Sequence, residues 1–182
     1  MIGNHVTTYS STGKIEVAGS IDYIPEHSDT ETVVAVIGHT GCGAVTATYQ
    51  TLQKIHEKDL DTGNIAEEDL EEVNKETEGI NTDIKLIMDA GLGKDFKEIE
   101  AETEKEMIAK LVERNVDNQV KFLIENTSYT ETVIVGLVYD MDGSYGKEKG
   151  RLYMVNFEGA KSPELLDKEV ENYEEIRPKR IS

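Results

Sequence analysis

The chain has 182 residues, which suits a single domain with a sizeable core, and 31% of its residues are charged. The formal net charge of -18, from 37 acidic and 19 basic side chains, argues against binding to nucleic acid or to an anionic membrane surface, because both need a positive patch on the protein. A single cysteine excludes an intramolecular disulfide, and with no signal-peptide pattern and no apolar run of about 18 residues the sequence favours a cytoplasmic location.

The first strong signal in chain order is the apolar run at residues 33–37, Val-Val-Ala-Val-Ile. Upstream of it, Gly3-Asn4 has the composition of a turn, and residues 20–27 suit a short helix capped by Ser20, with Pro25 complicating its end. Because the run is continuously apolar rather than alternating, it predicts a strand covered on both faces, as in a parallel sheet. A glycine-rich turn follows, and a helix is predicted to begin near Gly43.

The middle of the chain is first acidic and then helical. Residues 57–78 are rich in Asp and Glu and poor in apolar side chains, so we interpret them as an exposed acidic insert with short helical pieces rather than as a binding site. Residues 80–88 have helical spacing, and Gly91 or Gly93 is expected to end that helix. Residues 102–127 form the clearest predicted helix. Its apolar stripe, assigned to core packing, comprises Met107, Ile108, Leu111, Val112, Val116, Val120, Leu123 and Ile124.

The last third of the chain predicts two strands, at residues 132–140 and 151–157, joined as a β-hairpin with a long loop. Ser162 and Pro163 match the N-cap and first position of a C-terminal helix, and the basic tail, residues 177–182, is expected to be mobile. This order of elements predicts one α/β domain over residues 1–182. It would have three layers, with a central mostly parallel sheet, an antiparallel edge strand and flanking helices.

The turn after the first strand carries His39 and Cys42. Imidazole nitrogen and thiolate sulfur are ligands that zinc favours, and a His-x-x-Cys pair on a turn can place both on one ion. Gly38, Gly41 and Gly43 permit a tight backbone there, at the end of a sheet where open α/β folds bind ligands. A buried structural cysteine near a hydrogen-bonded histidine explains the spacing as well, so both interpretations stay open. The other histidines lie in polar contexts and are expected to be solvent-exposed: His5, His27 and His56.

Residues 36–45, Val-Ile-Gly-His-Thr-Gly-Cys-Gly-Ala-Val, closely resemble the second metal-ligand motif of the β-class carbonic anhydrases. Other segments resemble further family motifs and occur in the family's order. They are Gly3-Asn4 (the end of Arg-Asn-Ala-Gly-Asn), residues 19–23 (Ser-Leu-Glu-Tyr), residues 115–120 (Asn-Val-x-x-Gln-Val), residues 135–140 (Val-x-Gly-x-x-Tyr-Asp) and the hairpin at residues 150–152. The resemblance covers about residues 2–157.

This resemblance implies the reversible hydration of carbon dioxide to bicarbonate by a homodimer or a multiple of dimers. Zinc in the family is held by two cysteines and one histidine, and it lowers the pKa of its bound water to about 7, so that hydroxide is available at neutral pH. His39 matches the histidine and Cys42 the second cysteine. The residues that the same match places near the site are Gly3, Asn4, Gly41 and Gly43.

The sequence departs from the family at its start. The family's first cysteine belongs to a Cys-x-Asp-x-Arg motif, whose Asp–Arg pair orients the fourth zinc position, and this sequence has neither that motif nor a second cysteine. No catalytic residue can therefore be named. Because Met1 stands directly before Ile2-Gly3-Asn4, in the middle of a motif, we expect truncation rather than genuine loss.

With two ligands where catalytic zinc usually has three, the sequence predicts weak or absent metal binding and little hydration of carbon dioxide. Two alternatives remain open. One is a non-catalytic family member with an incomplete metal site, and the other is a hydrolase of carbon disulfide or carbonyl sulfide on the same scaffold.

Overall fold

A computed structural model of the chain describes residues 32–62, 65–73, 84–85, 87–126, 132–146, 148–170 and 176–181. The predictions for Gly3-Asn4 and for the helix capped by Ser20 lie outside these ranges. The main elements are, in chain order, β1 (Thr32–His39), α1 (Gly43–Glu57), α2 (Glu67–Val73), α3 (Glu104–Asn126), β2 (Thr132–Asp140), β3 (Arg151–Phe157), α4 (Pro163–Val170) and β4 (Ile176–Pro178). Within these ranges, no helix has both the length and the apolar character needed to cross a bilayer.

The strands form one mixed sheet in the order β1-β2-β3-β4. Strand β1 runs parallel to β2, with Val36 opposite Gly136 and His39 opposite Tyr139, and β2 and β3 form the predicted antiparallel hairpin. The α/β class and the mixed sheet predicted from the sequence are confirmed. The short strand β4, which the sequence did not predict, pairs in parallel with the outer side of β3.

Helix α3 packs closely against one face of the sheet. A Cβ atom on Gly38 would lie 2.7 Å from one methyl of Val116, and one on Gly136 would lie 2.8 Å from the other, so only glycine lets the helix approach both strands at this distance. The predicted stripe faces the core as expected, except that Ile124 in the last turn is 41% exposed. Its fully buried members are Leu111, Val112, Val116, Val120 and Leu123.

The opposite face of the sheet is covered only in part. Leu166 of α4 is fully buried against side chains of β2 and β3, including Leu137 and Met154. On β1, however, Val33 is 63% exposed and Ile37 is 56% exposed. The prediction that β1 is covered on both faces is therefore wrong for the described structure, because α4 follows β3 and no described element reaches β1 on this side.

The helix predicted at residues 80–88, of which residues 84, 85 and 87 are described as helical, is interrupted at Gly91 as predicted, because the backbone angles of Gly91 are not helical. The chain continues through a π-helical turn (Met88–Leu92) and short helical turns (Gly93–Asp95 and Phe96–Glu98). Gly91 has a φ of +128° and forms a kink, while Gly93 packs so tightly that a Cβ atom would lie 2.2 Å from the carbonyl oxygen of Thr62. Gly91 therefore allows the chain to bend, and Gly93 allows a close contact with the backbone of Thr62.

The acidic insert, residues 57–78, contains one described helix. Helix α2 buries Leu70 and Val73 in a small apolar cluster that also contains Leu52 and Ile55 of α1. Its glutamates lie on a helix that has apolar side chains facing inward, which matches the prediction of short helical pieces within the insert. Residues 63, 64 and 74–78 lie outside the described ranges.

The C-terminal tail, predicted to be mobile, is instead held by specific contacts. Strand β4 pairs with β3, and the guanidinium of Arg180 forms an ion pair with the buried carboxylate of Asp117 at 2.8 Å. Composition alone indicated a solvated basic segment. The buried acidic partner, 63 residues away in the sequence, reverses that expectation.

Candidate functional site

The turn between β1 and α1 carries the predicted site residues. Because β1 and β2 are parallel and in register, their carboxyl ends lie side by side, and the backbone N–H of Thr40 donates to the carbonyl of Tyr139 at 3.0 Å. This places His39, at the end of β1, next to the loop that follows β2. The location at one edge of the sheet agrees with the sequence expectation for a ligand site.

The three glycines of the motif have different roles. Gly41 has a φ of +68°, a backbone conformation that side-chain-bearing residues rarely adopt, and a Cβ atom there would meet nothing within 4 Å. Gly38 is needed for the close approach of α3. Gly43, the first residue of α1, has neither a positive φ nor a close neighbour. The motif's glycine at this position is therefore not required by the backbone.

The imidazole of His39 is half-buried and has one defined hydrogen bond. Its Nδ1 lies 3.1 Å from the carbonyl oxygen of Thr40, and because a carbonyl can only accept, Nδ1 carries the proton. In the neutral ring this leaves the lone pair on Nε2, which has no hydrogen-bond partner among the described residues. A backbone carbonyl bound to one ring nitrogen is the usual means of orienting a histidine whose other nitrogen binds metal.

Cys42 precedes α1 and is 3% exposed. It occupies the N-cap position with extended backbone angles, and its carbonyl accepts from the N–H and the hydroxyl of Thr46 at 2.9 and 2.8 Å. The residue belongs to the same buried apolar cluster as Val45 and Val112. This environment is that of a core cysteine, whereas its position three residues after His39 is that of a metal ligand.

A buried carboxylate organises the loop beside this turn. Asp140, at the end of β2, is fully buried, and its Oδ1 accepts from the hydroxyl of Thr40 at 3.2 Å and from the backbone N–H groups of Gly143 and Ser144 at 2.9 and 3.0 Å. Its Oδ2 accepts from the N–H of Tyr145 at 3.1 Å. The hydroxyl oxygen of Thr40 also accepts a hydrogen bond from the backbone N–H of Met141, in the loop after β2, at 2.8 Å. Thr40 and Asp140 thus tie the turn to the loop.

A small cleft of about 230 Å³ opens next to Gly41, between the beginnings of α1 and α3 and the loop after β2. Lys105 lies on one wall, with its ammonium 3.7 Å from the Asp142 carboxylate on the other. Although burial acts in the opposite direction, hydrogen bonds from Ser144 and Thr40 hold the pKa of Asp142 below its ordinary value. The cleft is smaller than the pockets that hold drug-sized ligands, so it would admit only a small molecule.

The described residues do not supply a complete donor set for a metal. They contain no group of three His, Cys, Asp or Glu side chains placed to hold one ion. His39 has a ring nitrogen suitably prepared for zinc and Cys42 has a thiol, but a catalytic zinc site usually takes three protein ligands. Gly3 and Asn4, predicted near the site, lie outside the described ranges, and His56 is exposed as predicted.

Sequence reasoning did not assign roles to Thr40 and Asp140. The available signal was the parallel pairing of two strong strands, which places the residue after His39 beside the last residue of β2. An Asp at the end of a buried strand, followed by Asp-Gly, is also typical of a carboxylate that caps its own loop. Together these signals point to Asp140, whereas only the spatial pairing points to Thr40.

Comparison with known proteins supports the same motif. Residues 1–145 match the family model described as carbonic anhydrase, a span that includes β1, the turn with His39 and Cys42, α3 and β2. A search of curated proteins found no match. Because the family model covers most of the sequence, and the turn and the mixed sheet agree with what the motifs predicted, this chain belongs to the carbonic anhydrase family.

Proposed function

We propose that the protein catalyses the reversible hydration of carbon dioxide to bicarbonate and a proton in a zinc-dependent manner, with activity reduced relative to a complete three-ligand site. The observation that carries the proposal is the orientation of His39. Its Nδ1–H donates to the carbonyl of Thr40, which directs the unprotonated Nε2 away from the backbone as a ligand. The small cleft beside Gly41, which His39 and Cys42 do not line, is large enough for a molecule of three atoms.

The residues of the turn would have distinct tasks. His39 Nε2 and the Cys42 thiolate would hold the metal, and Thr40 would fix the ring of His39 and the turn itself. Zinc, when bound, supplies the Lewis acidity that makes hydroxide available from water near neutral pH. Asp140, through Thr40, would keep the turn in one conformation, which limits the reorganisation needed when the ligands bind.

Reduced activity follows from the ligand count. This sequence holds one cysteine, so by itself it supplies one of the two thiolates of the family's site, and a third ligand from these residues would be an oxygen or nitrogen donor. Replacing a thiolate by such a donor weakens zinc binding, because sulfur is the softest and strongest ligand in the set. We therefore expect zinc to dissociate more readily than from a three-ligand site.

A non-catalytic role is the second candidate, and one specific observation favours it. Cys42 is 3% exposed within the apolar core, where a thiol packs without needing a metal. In this case the turn would be a structural remnant of the family's site. A hydrolase of carbon disulfide or carbonyl sulfide remains a third candidate on the same scaffold, which assays with those substrates would test.

The decisive experiment measures zinc and hydration together. Purified protein, loaded with zinc and desalted, is analysed for metal by mass spectrometry, and carbon dioxide hydration is followed by stopped-flow with a pH indicator. We expect substoichiometric zinc and a slow but measurable rate. His39→Ala and Cys42→Ser should each remove both zinc and rate, whereas His56→Ala, the matched control on the exposed end of α1, should change neither.

The outcomes separate the candidates. No zinc and no rate above buffer supports the non-catalytic role. Zinc that survives Cys42→Ser removes Cys42 from the ligand set. Hydrolysis of carbon disulfide or carbonyl sulfide without hydration of carbon dioxide transfers the proposal to those substrates.

Cytoplasmic location and a homodimer are part of the same proposal. The apolar side chains exposed on β1, Val33 and Ile37, support a subunit contact on this face, because large apolar patches on single subunits often mark such contacts. Light scattering coupled to size-exclusion chromatography gives the assembly state directly. A monomer at all concentrations would remove the dimer from the proposal.

A further inference from the structure

A buried ionic cluster lies on the side of α3 that faces β3 and the C-terminus. Glu113 and Asp117, one helical turn apart, are 0% and 1% exposed. The guanidinium of Arg180 reaches both, with Nη2 2.8 Å from Asp117 Oδ2 and 3.7 Å from Glu113 Oε2, and Nη1 3.1 Å from Asp117 Oδ1. The geometry with Asp117 is bidentate, the strongest form of this pair.

Arg180 is the main cation of this cluster. Its side chain is 10% exposed, whereas Lys161, the other cation near Asp117, is 43% exposed at 3.2 Å. Burial by itself lowers the pKa of Arg180, but the hydrogen bonds to Asp117 and the attraction of the Asp117 and Glu113 charges together outweigh burial and raise the pKa, so the guanidinium stays charged. Two buried carboxylates on one helix face repel each other unless a cation lies between them, and the tail supplies that cation.

The cluster continues into the loop after β2 through Tyr145. The phenol of Tyr145 donates to Glu113 Oε1 at 2.6 Å, and the backbone N–H of Ile181 donates to the same oxygen at 2.6 Å. The ammonium of Lys179 donates to the carbonyl of Tyr145. Tyr145 is 2% exposed, and its ring stacks on Tyr153 of β3 with centroids 4.6 Å apart. Three consecutive tail residues thus contact Tyr145 directly or through Glu113.

The same loop is bonded to the turn that carries His39 and Cys42. The N–H of Tyr145 donates to Asp140 Oδ2, and Asp140 Oδ1 accepts from the hydroxyl of Thr40. Thr40 is 1% exposed and immediately follows His39. Every step from Arg180 to the turn is therefore a hydrogen bond or ion pair between residues whose side chains are at most 10% exposed.

We propose that residues 179–181 form a latch on the loop after β2, in which Arg180 is a positioning residue. Through Glu113, Tyr145 and Asp140, Arg180 holds the turn that carries His39 and Cys42 in the conformation seen in the structure. The latch is a property of the folded chain and does not depend on zinc or on activity. Its release is expected to loosen the loop and the turn while the sheet and α3 stay folded, because Arg180 reaches α3 through polar groups, whereas the sheet and α3 are held together by the apolar core.

The single cysteine provides the test, since a thiol reagent reports on Cys42 alone. The rate at which a maleimide labels Cys42 is measured on the whole metal-free chain as a function of urea below the unfolding transition. Arg180→Met keeps the length of the side chain and removes its charge. We expect Arg180→Met to raise the rate of Cys42 labelling in the absence of urea by about tenfold or more. This rate should change little at low urea concentrations, which is the signature of local opening.

Leu70→Ala in α2 is the control for lost stability. Leu70 is 2% exposed and lies in the small cluster beside α1, away from both the latch and the loop. In this variant labelling should follow global unfolding and rise with urea from the lowest concentration. If the labelling rate of the Arg180→Met protein equals the rate expected from its own free energy of global unfolding, the latch is overturned.

Two further variants keep the test decisive if Arg180→Met does not fold. Tyr145→Phe removes only the hydroxyl that joins the loop to Glu113 and keeps the ring stacked on Tyr153. It should raise urea-independent labelling by a smaller factor, and an unchanged rate would overturn the proposal. Arg180→Lys retains the positive charge without the bidentate geometry, and we expect it to restore part of the wild-type protection. The zinc and hydration assays are separate, so failure of either idea leaves the other testable.

Discussion

The turn at residues 39–43 and the ionic cluster of Glu113, Asp117 and Arg180 are both polar regions next to the core, but they are built differently. In the cluster each buried charge has partners within the chain, and the cation and the carboxylates lie within 4 Å of each other. In the turn the N–H and the hydroxyl of Thr40 are hydrogen-bonded, whereas His39 Nε2 has no partner among the described residues. In the ionic cluster the charged groups bond to one another, whereas the candidate ligand site leaves one donor atom, His39 Nε2, available for a metal.

This difference predicts opposite consequences for the two regions. Removing a side chain from the cluster should damage stability, because a buried charge is left without its partner. Removing a ligand side chain from the turn should cost little stability and much metal affinity.

Arg180→Met should lower the free energy of unfolding by about 3–5 kcal/mol, because it leaves two buried carboxylates without their main cation. Urea unfolding at pH 7 measures the loss. Lys161→Met is the matched control on the same carboxylate, and since Lys161 is 43% exposed its removal should cost less than about 1 kcal/mol. Equal losses in the two variants would contradict the assignment of Arg180 as the main cation.

Gly38→Ala and Gly43→Ala should act in opposite directions, although both glycines belong to the same motif. A Cβ atom on Gly38 would lie 2.7 Å from a methyl of Val116, and the resulting displacement of α3 should cost about 1–3 kcal/mol. Gly43 begins α1 in open space, so alanine there should gain up to about 1 kcal/mol through its helical preference. Thermal unfolding of both variants measures the difference, and loss of stability in Gly43→Ala would show a constraint absent from the described structure.

His39→Ala should change the free energy of unfolding by about 1 kcal/mol or less, because the half-buried ring makes a single hydrogen bond to the backbone. Its effect on zinc binding should be far larger than its effect on folding. Unfolding of the metal-free protein gives the first quantity and chelator competition the second. A loss comparable to that of Arg180→Met would mean that His39 serves the fold in the way that the ionic cluster does.

Asp142→Asn should have the smallest effect, and the size of its effect on stability depends on pH. The pKa of Asp142 is lowered in the folded state, so its charged form adds stability that is fully present above the unfolded pKa of about 3.9 and is lost as the pH falls through the lower folded pKa. Because the side chain is 35% exposed, the difference from wild type at pH 7 should be about 0.5 kcal/mol.

The same variant should converge with wild type once the pH falls below the lowered folded pKa of Asp142. Melting temperatures from pH 3 to pH 7 follow both quantities. A difference that grows as the pH falls would require the pKa of Asp142 to be raised, which contradicts the hydrogen bonds that it accepts from Ser144.

Local sequence patterns predicted the elements whose side chains repeat with a regular period. The stripe of α3 and the apolar runs of β1, β2 and β3 gave bounds within two residues of those observed. The N-cap at Ser162 is also present, with its hydroxyl accepting from the N–H of Leu165 at 3.3 Å. The motif with His39 and Cys42 identified the family, because its glycine spacing and ligand types are specific.

Long-range pairings were beyond these patterns. The exposed face of β1 depends on where α4 packs, and Val33 and Ile37 have the same local sequence character whether they are covered or not. Arg180 sits in a basic tail that looks like a solvated segment, and only the fold brings Asp117 to it. The bond between Thr40 and Asp140 joins residues one hundred positions apart.

For this protein the sequence by itself determined the α/β class, the family and the two candidate zinc ligands, because periodicity and short motifs act over a few residues. Tertiary structure alone decided which face of β1 stays open, which cation neutralises the buried carboxylates and how the tail reaches the turn of His39. These are properties of charges and surfaces that meet across long sequence separations, where burial makes an unpaired group costly and so selects its partner.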